Sequence, residues 1–255
     1  MAIGEVMVDK LCVVEAKEIL RQSSQGRTKP FIVRDTQGEQ FVVKGISGAG
    51  HASLVSELIC AELAQRCELP VAEYALMRFP SGMLDFSTEP RAGDLKGGLA
   101  FASKVAPHSQ DLLFSQTAEI DEEMQQRIFL FDFWVNNEDR HLSHRGGNVN
   151  LLWSQLHGLV VIDHNLAFDP INRTGSFENH VFSHQREHFS DLEIRARHEA
   201  VLDAALNDWD MIIHLIPDEW LYHDIDDEAT EIHPSLTERF NLLARIRNSS
   251  FWSLI

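Results

Sequence analysis

The chain has 255 residues, of which 44% are hydrophobic, and its formal net charge at pH 7 is −17. This length and apolar content are enough to bury the core of one substantial catalytic unit. The excess of acidic residues disfavours nucleic-acid binders and proteins that bind anionic membranes, because both kinds of partner attract a basic surface.

The first elements along the chain are predicted to be two strands joined by a turn. Apolar residues dominate positions 31–33 and 41–44, and a polar, glycine-bearing turn occupies 35–38, which is the pattern of a β-hairpin. The second strand ends on Lys44, a candidate to hold phosphate groups. The alternative for Lys44 is the common one for an isolated lysine, in which its stem covers apolar surface and its head reaches solvent.

The segment 53–67 follows and is predicted to form a helix. Glu57 shares a helix face with apolar neighbours such as Leu54. A carboxylate on an apolar face is costly to bury unless a cation pairs with it. Lys44 is the expected partner of Glu57, and Glu62, on another face of the helix, is the weaker candidate.

The middle of the chain is predicted to run from a helix through a loop into a hairpin. Helical spacing of apolar residues covers 120–135, and the polar stretch 136–147 with its glycines is typical of a loop. Two short apolar runs, 149–153 and 159–162, flank a turn and predict a β-hairpin. The second of these strands ends on Asp163.

Folding this hairpin back brings Asp163 close to the loop that carries Asp139 and Asn148. Carboxylate and amide oxygens are ligands that suit Mg²⁺, particularly together with phosphate oxygens. Asp139, Asn148 and Asp163 also follow one another in the order that a phosphoryl-transfer site requires. Asp and Asn are also common in ordinary loops, so the hypothesis depends on all three elements together.

The C-terminal third is predicted to be helical, with amphipathic helices over 194–215 and 236–246. Before them, His180, His184 and His188 recur every four residues and would line one helix face, a spacing that suits a zinc ion. The H-E-x-x-H pattern is absent from the sequence. Hydrogen-bonded or exposed histidines are the more common explanation of such a cluster.

Three motifs resemble a known family: NEDRH at 137–141, NVNLL at 148–152 and VIDH at 161–164. They are similar to the D-R-H-x-x-N and I-D-[FH] elements of HipA-like kinases and phosphatidylinositol kinases, and the small single-domain HipA-like proteins are the most similar. The resemblance implies ATP and Mg²⁺ as cofactors. It also implies that Asp139 orients the substrate hydroxyl or accepts its proton, while Asn148 and Asp163 hold the metal.

One feature departs from the family pattern. The family places its Asn a few residues after the Asp, whereas the segment 141–147 makes this loop longer. Asn150 is therefore the alternative metal ligand. Around this loop, His141 is expected to support the catalytic residues and His164 to shape the metal site.

The resemblance implies an α+β, two-lobed protein-kinase-like fold with a small β-rich N-lobe and a mainly helical C-lobe. We expect one domain over 1–255, with the N-lobe and hinge ending near residue 103 and the C-lobe beginning near 104. In such a fold Lys44 positions the ATP phosphates and Glu57 positions Lys44.

The resemblance also suggests two nucleotide-binding segments. Donors to the phosphates are expected in the polar stretch 22–30, at Ser23, Ser24, Gly26 and Thr28. The adenine edge is expected to meet a hinge at Phe101, Ala102 and Ser103. An ordinary polar loop and a plain strand leading to a linker are the respective alternatives.

Taken together, the expected function is ATP- and Mg²⁺-dependent transfer of a phosphoryl group to a Ser or Thr hydroxyl of a cytoplasmic protein. Autophosphorylation, a toxin or regulatory role and an antitoxin or regulatory partner are implied by the resemblance alone. We expect no direct nucleic-acid partner and no membrane partner, because the excess of acidic residues disfavours both. A cytoplasmic location is the default expectation, because the apolar stretches are too short to span a bilayer and the N-terminus lacks a secretion signal. The alternatives are a lipid or small-molecule kinase and a catalytically inactive nucleotide-binding module.

Overall fold

The computed structural model describes residues 11–23, 29–169, 176–225 and 228–255. Its strands are β1 (Val13–Gln22), β2 (Phe31–Asp35), β3 (Gln40–Lys44), β4 (Tyr74–Arg78), β5 (Ala100–Lys104), β6 (Gln110–Asp111), β7 (Leu151–Ser154), β8 (Gly158–Val161), β9 (Tyr222–Ile225) and β10 (Glu228–Glu231). Its α-helices are α1 (Ile46–Ala49), α2 (His51–Arg66), α3 (Glu122–Val135), α4 (Leu192–Asn207), α5 (Trp209–Ile213), α6 (Leu236–Leu243) and α7 (Ser249–Trp252). Short 3₁₀ helices cover Ala92–Leu95, Phe114–Glu119, Ser176–Asn179, Ser183–Ser190, Asp218–Trp220 and Ala244–Arg247.

A closed barrel is formed by β1, β2, β3, β5 and β4, in that order. Strands β1 and β4 close it in parallel, and the other neighbours are antiparallel. The predicted hairpin over 31–44 is confirmed as β2 and β3. Phe31, Val33, Phe41 and Val43 alternate along these strands and bury their side chains in the apolar cluster of the barrel. Lys44 is the last residue of β3, so the hairpin fixes where its side chain begins.

Helix α2 is the helix predicted over 53–67, and it begins at His51. It is buried along residues 54–64 rather than on one face, which is typical of a helix that crosses the core. Its two acidic residues therefore both need polar partners. Glu62 accepts hydrogen bonds from the Tyr74 hydroxyl at 2.7 Å and from the Arg66 guanidinium at 2.5 Å.

Helix α3 confirms the helix predicted over 120–135. Asp121 caps its N-terminus, because the Asp121 carboxylate accepts from the backbone N–H groups of Glu123 at 2.9 Å and Met124 at 3.3 Å. The helix ends at Asn136, whose φ of 60° lies in the left-handed region that stops a helix. The chain then enters the loop predicted from its polar composition.

Strands β7 and β8 form the hairpin predicted before Asp163, with Leu151 opposite Val161. A short strand that was not predicted, β6, pairs with β7 on the other side and completes a three-stranded sheet. Asp163 lies two residues beyond the end of β8. The hairpin therefore delivers this carboxylate to a fixed point, as expected.

The helix predicted over 194–215 is interrupted. Its residues form α4 and α5, which are separated at Asp208. The Asp208 side chain accepts from the Arg66 guanidinium at 2.9 Å, and its backbone N–H turns back to the Ala205 carbonyl. Likewise, the helix predicted over 236–246 is α6 followed by a 3₁₀ turn. Periodicity placed both segments correctly but not their breaks.

The described residues thus make a mixed α and β architecture with two apolar clusters. One fills the barrel, and the larger one joins α2, α3, α4 and the C-terminal helices. No helix within the described ranges is both long and apolar enough to cross a membrane.

Candidate active site

Lys44, at the end of β3, binds carboxylates from two other elements. Its Nζ forms an ion pair with Glu57 Oε1 of α2 and lies 2.8 Å from Asp163 Oδ1, beyond β8. The side chains of Lys44 and Glu57 are 9% and 5% exposed, whereas that of Asp163 is 25% exposed. The predicted pairing of Lys44 with Glu57 is therefore present, and it extends to the candidate metal ligand.

The charges of this cluster depend on one another. Burial alone would lower the pKa of Lys44, but the carboxylates of Glu57 and Asp163 hold that pKa above its ordinary value. Burial raises the pKa of Glu57 to about 7, against the attraction of Lys44. Burial also opposes ionisation of Asp163, but the Lys44 ammonium lowers the pKa of that carboxyl. Asp163 is thus ionised and able to bind a cation at neutral pH.

Asp139 lies in the loop after α3 and contacts both candidate amides. Its Oδ2 accepts from Asn148 Nδ2 at 2.8 Å and from Asn150 Nδ2 at 3.5 Å. The same two amides donate to the Asp139 backbone carbonyl at 3.3 and 3.2 Å. The structure therefore brings Asp139, Asn148 and Asn150 together and leaves both amides as candidate metal ligands.

The long loop over 141–147 closes on itself. The His141 N–H donates to the Asn148 carbonyl at 2.8 Å, and Ser143 and Gly146 exchange two backbone hydrogen bonds. Gly147 has no space for a Cβ atom, because the His141 carbonyl occupies that position. The extra residues form a turn that returns the chain to its starting point, so they leave Asn148 beside Asp139.

Three non-glycine residues near the site have left-handed backbone. The φ angles are 46° for Asn150, 60° for Asp163 and 68° for Phe168. Asn and Asp tolerate this region better than other side chains, but each such residue still costs about 1–3 kcal/mol. Strained backbone of this kind concentrates where a side chain must be aimed, which fits the hairpin that carries Asn150 and Asp163.

Arg140 is a site residue that sequence reasoning did not assign. It is fully buried and pairs with the equally buried Asp132 of α3, with Nε 2.6 Å from Oδ2. Its Nη1 group lies within hydrogen-bond distance of three backbone carbonyls beside the hairpin, those of Val149, Asn150 and Ile162. Arg140 thus ties the loop that carries Asp139 to the residues just before β7 and just after β8, which include Asn150 and Asp163.

Asp132 also holds the segment beyond Asp163. Its carboxylate accepts from Asn137 Nδ2 at 2.8 Å and lies 3.0 Å from His180 Nε2. Although burial opposes ionisation, Arg140 and His180 hold the pKa of Asp132 well below its usual range. In addition, the Val181 N–H donates to the Arg140 carbonyl at 3.0 Å. The loop that carries Asp139 is therefore held by contacts on two sides.

His164 and His141 lie where supporting residues were expected. The buried His164 donates its backbone N–H to Glu57 Oε2 at 3.3 Å, and its Nε2 lies 3.3 Å from Arg140 Nη2. Burial and the Arg140 charge lower the pKa of His164 to about 4, so the ring is neutral and accepts from Arg140. His141 pairs with His180 through an isolated backbone bridge.

The three histidines considered for zinc do not converge. His180 lies beside Asp132, His184 Nε2 lies 3.0 Å from Gln125 Oε1, and His188 contacts an acidic residue at the start of α3. The last two lie in a 3₁₀ helix, which does not give the expected spacing on one α-helical face. Within the described part of the chain, no three His, Cys, Asp or Glu residues are grouped to hold a metal.

The three residues expected to form a hinge lie inside a strand. Phe101, Ala102 and Ser103 belong to β5, whose backbone pairs with β3 on one side and β4 on the other. Their backbone groups pair within the barrel, which matches the plain-strand alternative, and their contact with an adenine edge stays a prediction. The chain leaves the barrel after Val105, whose N–H donates to the Gln40 carbonyl.

Of the four residues expected to contact phosphates, Ser23 lies just beyond β1, and its backbone N–H donates to the Pro30 carbonyl at 2.7 Å. This bond closes the base of the loop that joins β1 to β2. Ser24, Gly26 and Thr28 lie outside the described residues.

The residues present fit a Mg²⁺ ion bound together with phosphate. Asp163 supplies an ionised, partly exposed carboxylate. Asn148 and Asn150 use their amide nitrogens to hold Asp139, which leaves the amide oxygens to bind a cation. Mg²⁺ is usually held by one or two carboxylates plus substrate phosphates and waters. This donor set suits a metal that arrives with a nucleotide.

A cavity of about 630 Å³ lies elsewhere, between the segment that joins β4 to β5 and Glu219. Its lining includes Leu84, Lys96 and Leu99 and none of the candidate site residues. The candidate site is therefore defined by its clustered charged side chains and not by this cavity.

Comparisons with known proteins found a matching family and a similar solved structure. The family model described as HipA-like kinase matches residues 16–255 of the chain. A search of curated proteins gave no match. Among solved structures, the chain is similar to the crystal structure of a Helicobacter pylori proinflammatory kinase, CtkA, with 12% sequence identity, a TM-score of 0.47 and coverage of 96% of each chain.

Proposed function

The chain belongs to the HipA-like kinase family, and we propose that it transfers the γ-phosphoryl group of Mg-ATP to a Ser or Thr hydroxyl of a protein. The observation that carries this proposal is the meeting of Lys44 with Glu57 and Asp163. In protein kinases, a lysine–glutamate pair and a metal-binding aspartate must both be in place before phosphoryl transfer proceeds.

We propose that the chain is organised as the two lobes expected for such a fold. The separate apolar cluster inside the barrel supports a β-rich N-lobe. The larger cluster around α3 and α4 supports a helical C-lobe, and it also takes in α2 of the expected N-lobe. The connection would lie just after Val105, close to the expected boundary near residue 103. Lys44 and Asp163 would then face each other across the nucleotide cleft.

In the proposed reaction, Lys44 binds phosphate oxygens of ATP and Glu57 holds the Lys44 ammonium in place. Asp139 orients the acceptor hydroxyl and takes its proton. The acceptor oxygen forms a bond to the γ-phosphorus as the bond from that phosphorus to ADP breaks, so the products are a phosphoester, ADP and one proton on Asp139. The hydrogen bonds from Asn148 and Asn150 support this role, because they fix the Asp139 carboxylate.

Mg²⁺ would be held by Asp163 together with the amide oxygen of Asn148, or of Asn150 as the alternative. Such an ion neutralises charge on the β- and γ-phosphates. The Lys44 contact to Asp163 Oδ1 supports the assignment, because it fixes that carboxylate next to the group proposed to bind phosphate.

The partner class follows from chemistry and family resemblance. A net charge of −17 disfavours nucleic acid and anionic lipid as direct partners. By resemblance to HipA-like proteins, we propose a cytoplasmic protein substrate, with autophosphorylation, and a toxin or regulatory role with a neutralising partner. A lipid or metabolite acceptor and an inactive nucleotide-binding module are the competing hypotheses.

The test is a screen of acceptor classes with γ-labelled ATP and Mg²⁺. The purified protein is incubated alone, with bacterial lysate proteins, with lipid extract and with small metabolites. Label recovered as phosphoserine or phosphothreonine after acid hydrolysis supports the proposal. Label in lipid or in a small molecule supports another kinase class. Mg²⁺-dependent ATP binding without any transfer supports the inactive module.

A further inference from the structure

Arg239 is a buried cation that the proposed reaction does not use. It lies in α6, near the C-terminus, and only 1% of the residue is exposed. Its three hydrogen bonds go to two carbonyl oxygens and one hydroxyl: Nε to Pro234 at 3.0 Å, Nη1 to Ser56 Oγ at 2.7 Å and Nη2 to Ala52 at 3.1 Å. The guanidinium therefore spans from α6 to the beginning of α2.

The contacts on α2 lie next to Glu57. Ser56, which accepts from Arg239, immediately precedes Glu57, and Ala52 lies one helical turn earlier. Because a guanidinium is planar and donates in fixed directions, contacts to two successive turns restrain both the position of a helix and its rotation. A rotation of α2 would carry the Glu57 carboxylate away from Lys44.

The other side of Arg239 faces the segment that follows Asp163. The guanidinium carbon lies 4.9 Å from the centre of the Phe168 ring, a cation–π distance. Ser56 Oγ also lies 3.2 Å from the Ala167 carbonyl. Arg239, Ser56, Ala167 and Phe168 thus form one contact group that joins α2 to residues 163–168.

Among the described residues Arg239 has no ion-pair partner, and burying such a guanidinium has a cost. Burial lowers the pKa of Arg239 to about 10, so the residue remains charged at neutral pH.

Arg245, two turns further along, is half-buried and donates to the Leu242 and Trp134 carbonyls, so it contacts α3 and not α2. The chain therefore offers a second arginine in a comparable setting without the α2 contacts.

We propose that Arg239 is a positioning residue, which holds α2 and the 163–168 segment together so that Glu57 and Asp163 reach Lys44 at the same time. This inference rests on the proposed phosphoryl transfer for its effect on activity. Its structural part, the placement of α2, does not depend on that function.

The test compares Arg239→Met with Arg245→Met in the full chain. We expect Arg239→Met to lower kcat by about 100-fold and to raise KM for Mg-ATP, because misplacing Glu57 displaces Lys44. Loss of folded protein alone would lower kcat and leave KM unchanged. Arg245→Met is expected to keep the wild-type KM, and Arg239→Lys, which keeps the charge, is expected to recover part of kcat.

Amide hydrogen exchange provides a readout that does not need activity. Exchange in residues 51–66 and 164–168 is expected to be faster in Arg239→Met than in Arg245→Met. Wild-type KM together with wild-type exchange in both segments would overturn the proposal. If Arg239→Met does not fold, Ser56→Ala removes the hydroxyl that Arg239 binds and should shift KM and exchange in the same direction. If the wild-type protein transfers no phosphate, the proposed function fails, and the exchange data still decide the role of Arg239.

Discussion

Lys44 Nζ lies 2.8 Å from Asp163 Oδ1, although 119 positions separate the two residues in the sequence. This contact joins the barrel to the segment that follows β8. Glu57 of α2 forms a second ion pair with Lys44. A cation held by two carboxylates in a buried site is expensive to build, because each charge must be removed from water. The arrangement is explained if one carboxylate positions the lysine and the other binds metal when a nucleotide enters.

Changing Glu57 to Gln is expected to lower kcat by about 100-fold, because Lys44 then loses the charge that positions it. Gln preserves the size of the side chain and can still accept one hydrogen bond, so the protein should remain folded. Steady-state kinetics with Mg-ATP measure the effect. Glu62→Gln, on the same helix, is the matched control, and equal losses in both variants would contradict the role of Glu57.

Asn148→Ala and Asn150→Ala distinguish the two candidate metal ligands. The variant that lacks the ligand should need at least about tenfold more Mg²⁺ for half-maximal phosphoryl transfer. We expect this shift for Asn148→Ala. The measurement is a Mg²⁺ titration at saturating ATP. A shift in Asn150→Ala alone would move the assignment to Asn150, and no shift in either variant would exclude an amide ligand.

The buried Arg140–Asp132 pair is predicted to contribute strongly to the free energy of unfolding of the protein. Arg140→Met should lower the free energy of unfolding by about 3–5 kcal/mol, because it leaves Asp132 charged and buried without its main partner. Arg34 pairs with Glu18 at the same distance, 2.6 Å, but the two side chains are 35% and 53% exposed. Arg34→Met should therefore change the free energy of unfolding by less than about 1 kcal/mol. Urea denaturation compares the two, and equal effects would refute the prediction.

The buried His164 is expected to make the free energy of unfolding depend on pH. Its pKa falls from 6.5 to about 4 on folding, so between these values the unfolded chain binds more protons than the folded one. Stability contributed by the neutral ring is complete above pH 6.5 and is lost as pH falls towards 4, by about 3 kcal/mol for this residue. His164→Gln should reduce the slope of unfolding free energy against pH in this window. The exposed His157→Gln is the control, and identical slopes in wild type and His164→Gln would contradict the account.

Sequence reasoning identified the elements that carry Lys44, Glu57, Asp139 and Asp163. Each belongs to a segment with a clear local pattern: an alternating strand, an apolar helix, a polar loop or a hairpin that ends on an acid. The Lys44–Glu57 pair was predictable as well, because an acid in a buried helix needs a cation. Such inferences need only local periodicity and the cost of burying charge.

The remaining features depend on packing between distant segments. Arg140 adjoins the candidate Asp139 in the sequence, but its partner Asp132 lies in the preceding helix, and His180 comes from a later segment. The residues expected at the hinge, 101–103, lie in β5, and the pairing of that strand with both β3 and β4 has no signal in the local sequence. Arg239 carries no local signal, since an arginine in an amphipathic helix is ordinarily exposed.

The most direct test of the central claim is transfer of γ-labelled phosphate from Mg-ATP by the wild-type protein and by Asp139→Asn, with ATP binding measured in parallel. Asn keeps the shape of the side chain but cannot take the proton from the hydroxyl of the substrate. We expect the wild-type protein to transfer phosphate in a Mg²⁺-dependent reaction. We expect Asp139→Asn to bind ATP but to transfer no phosphate. Equal transfer by both proteins, or no binding of ATP by the wild type, would contradict the central claim.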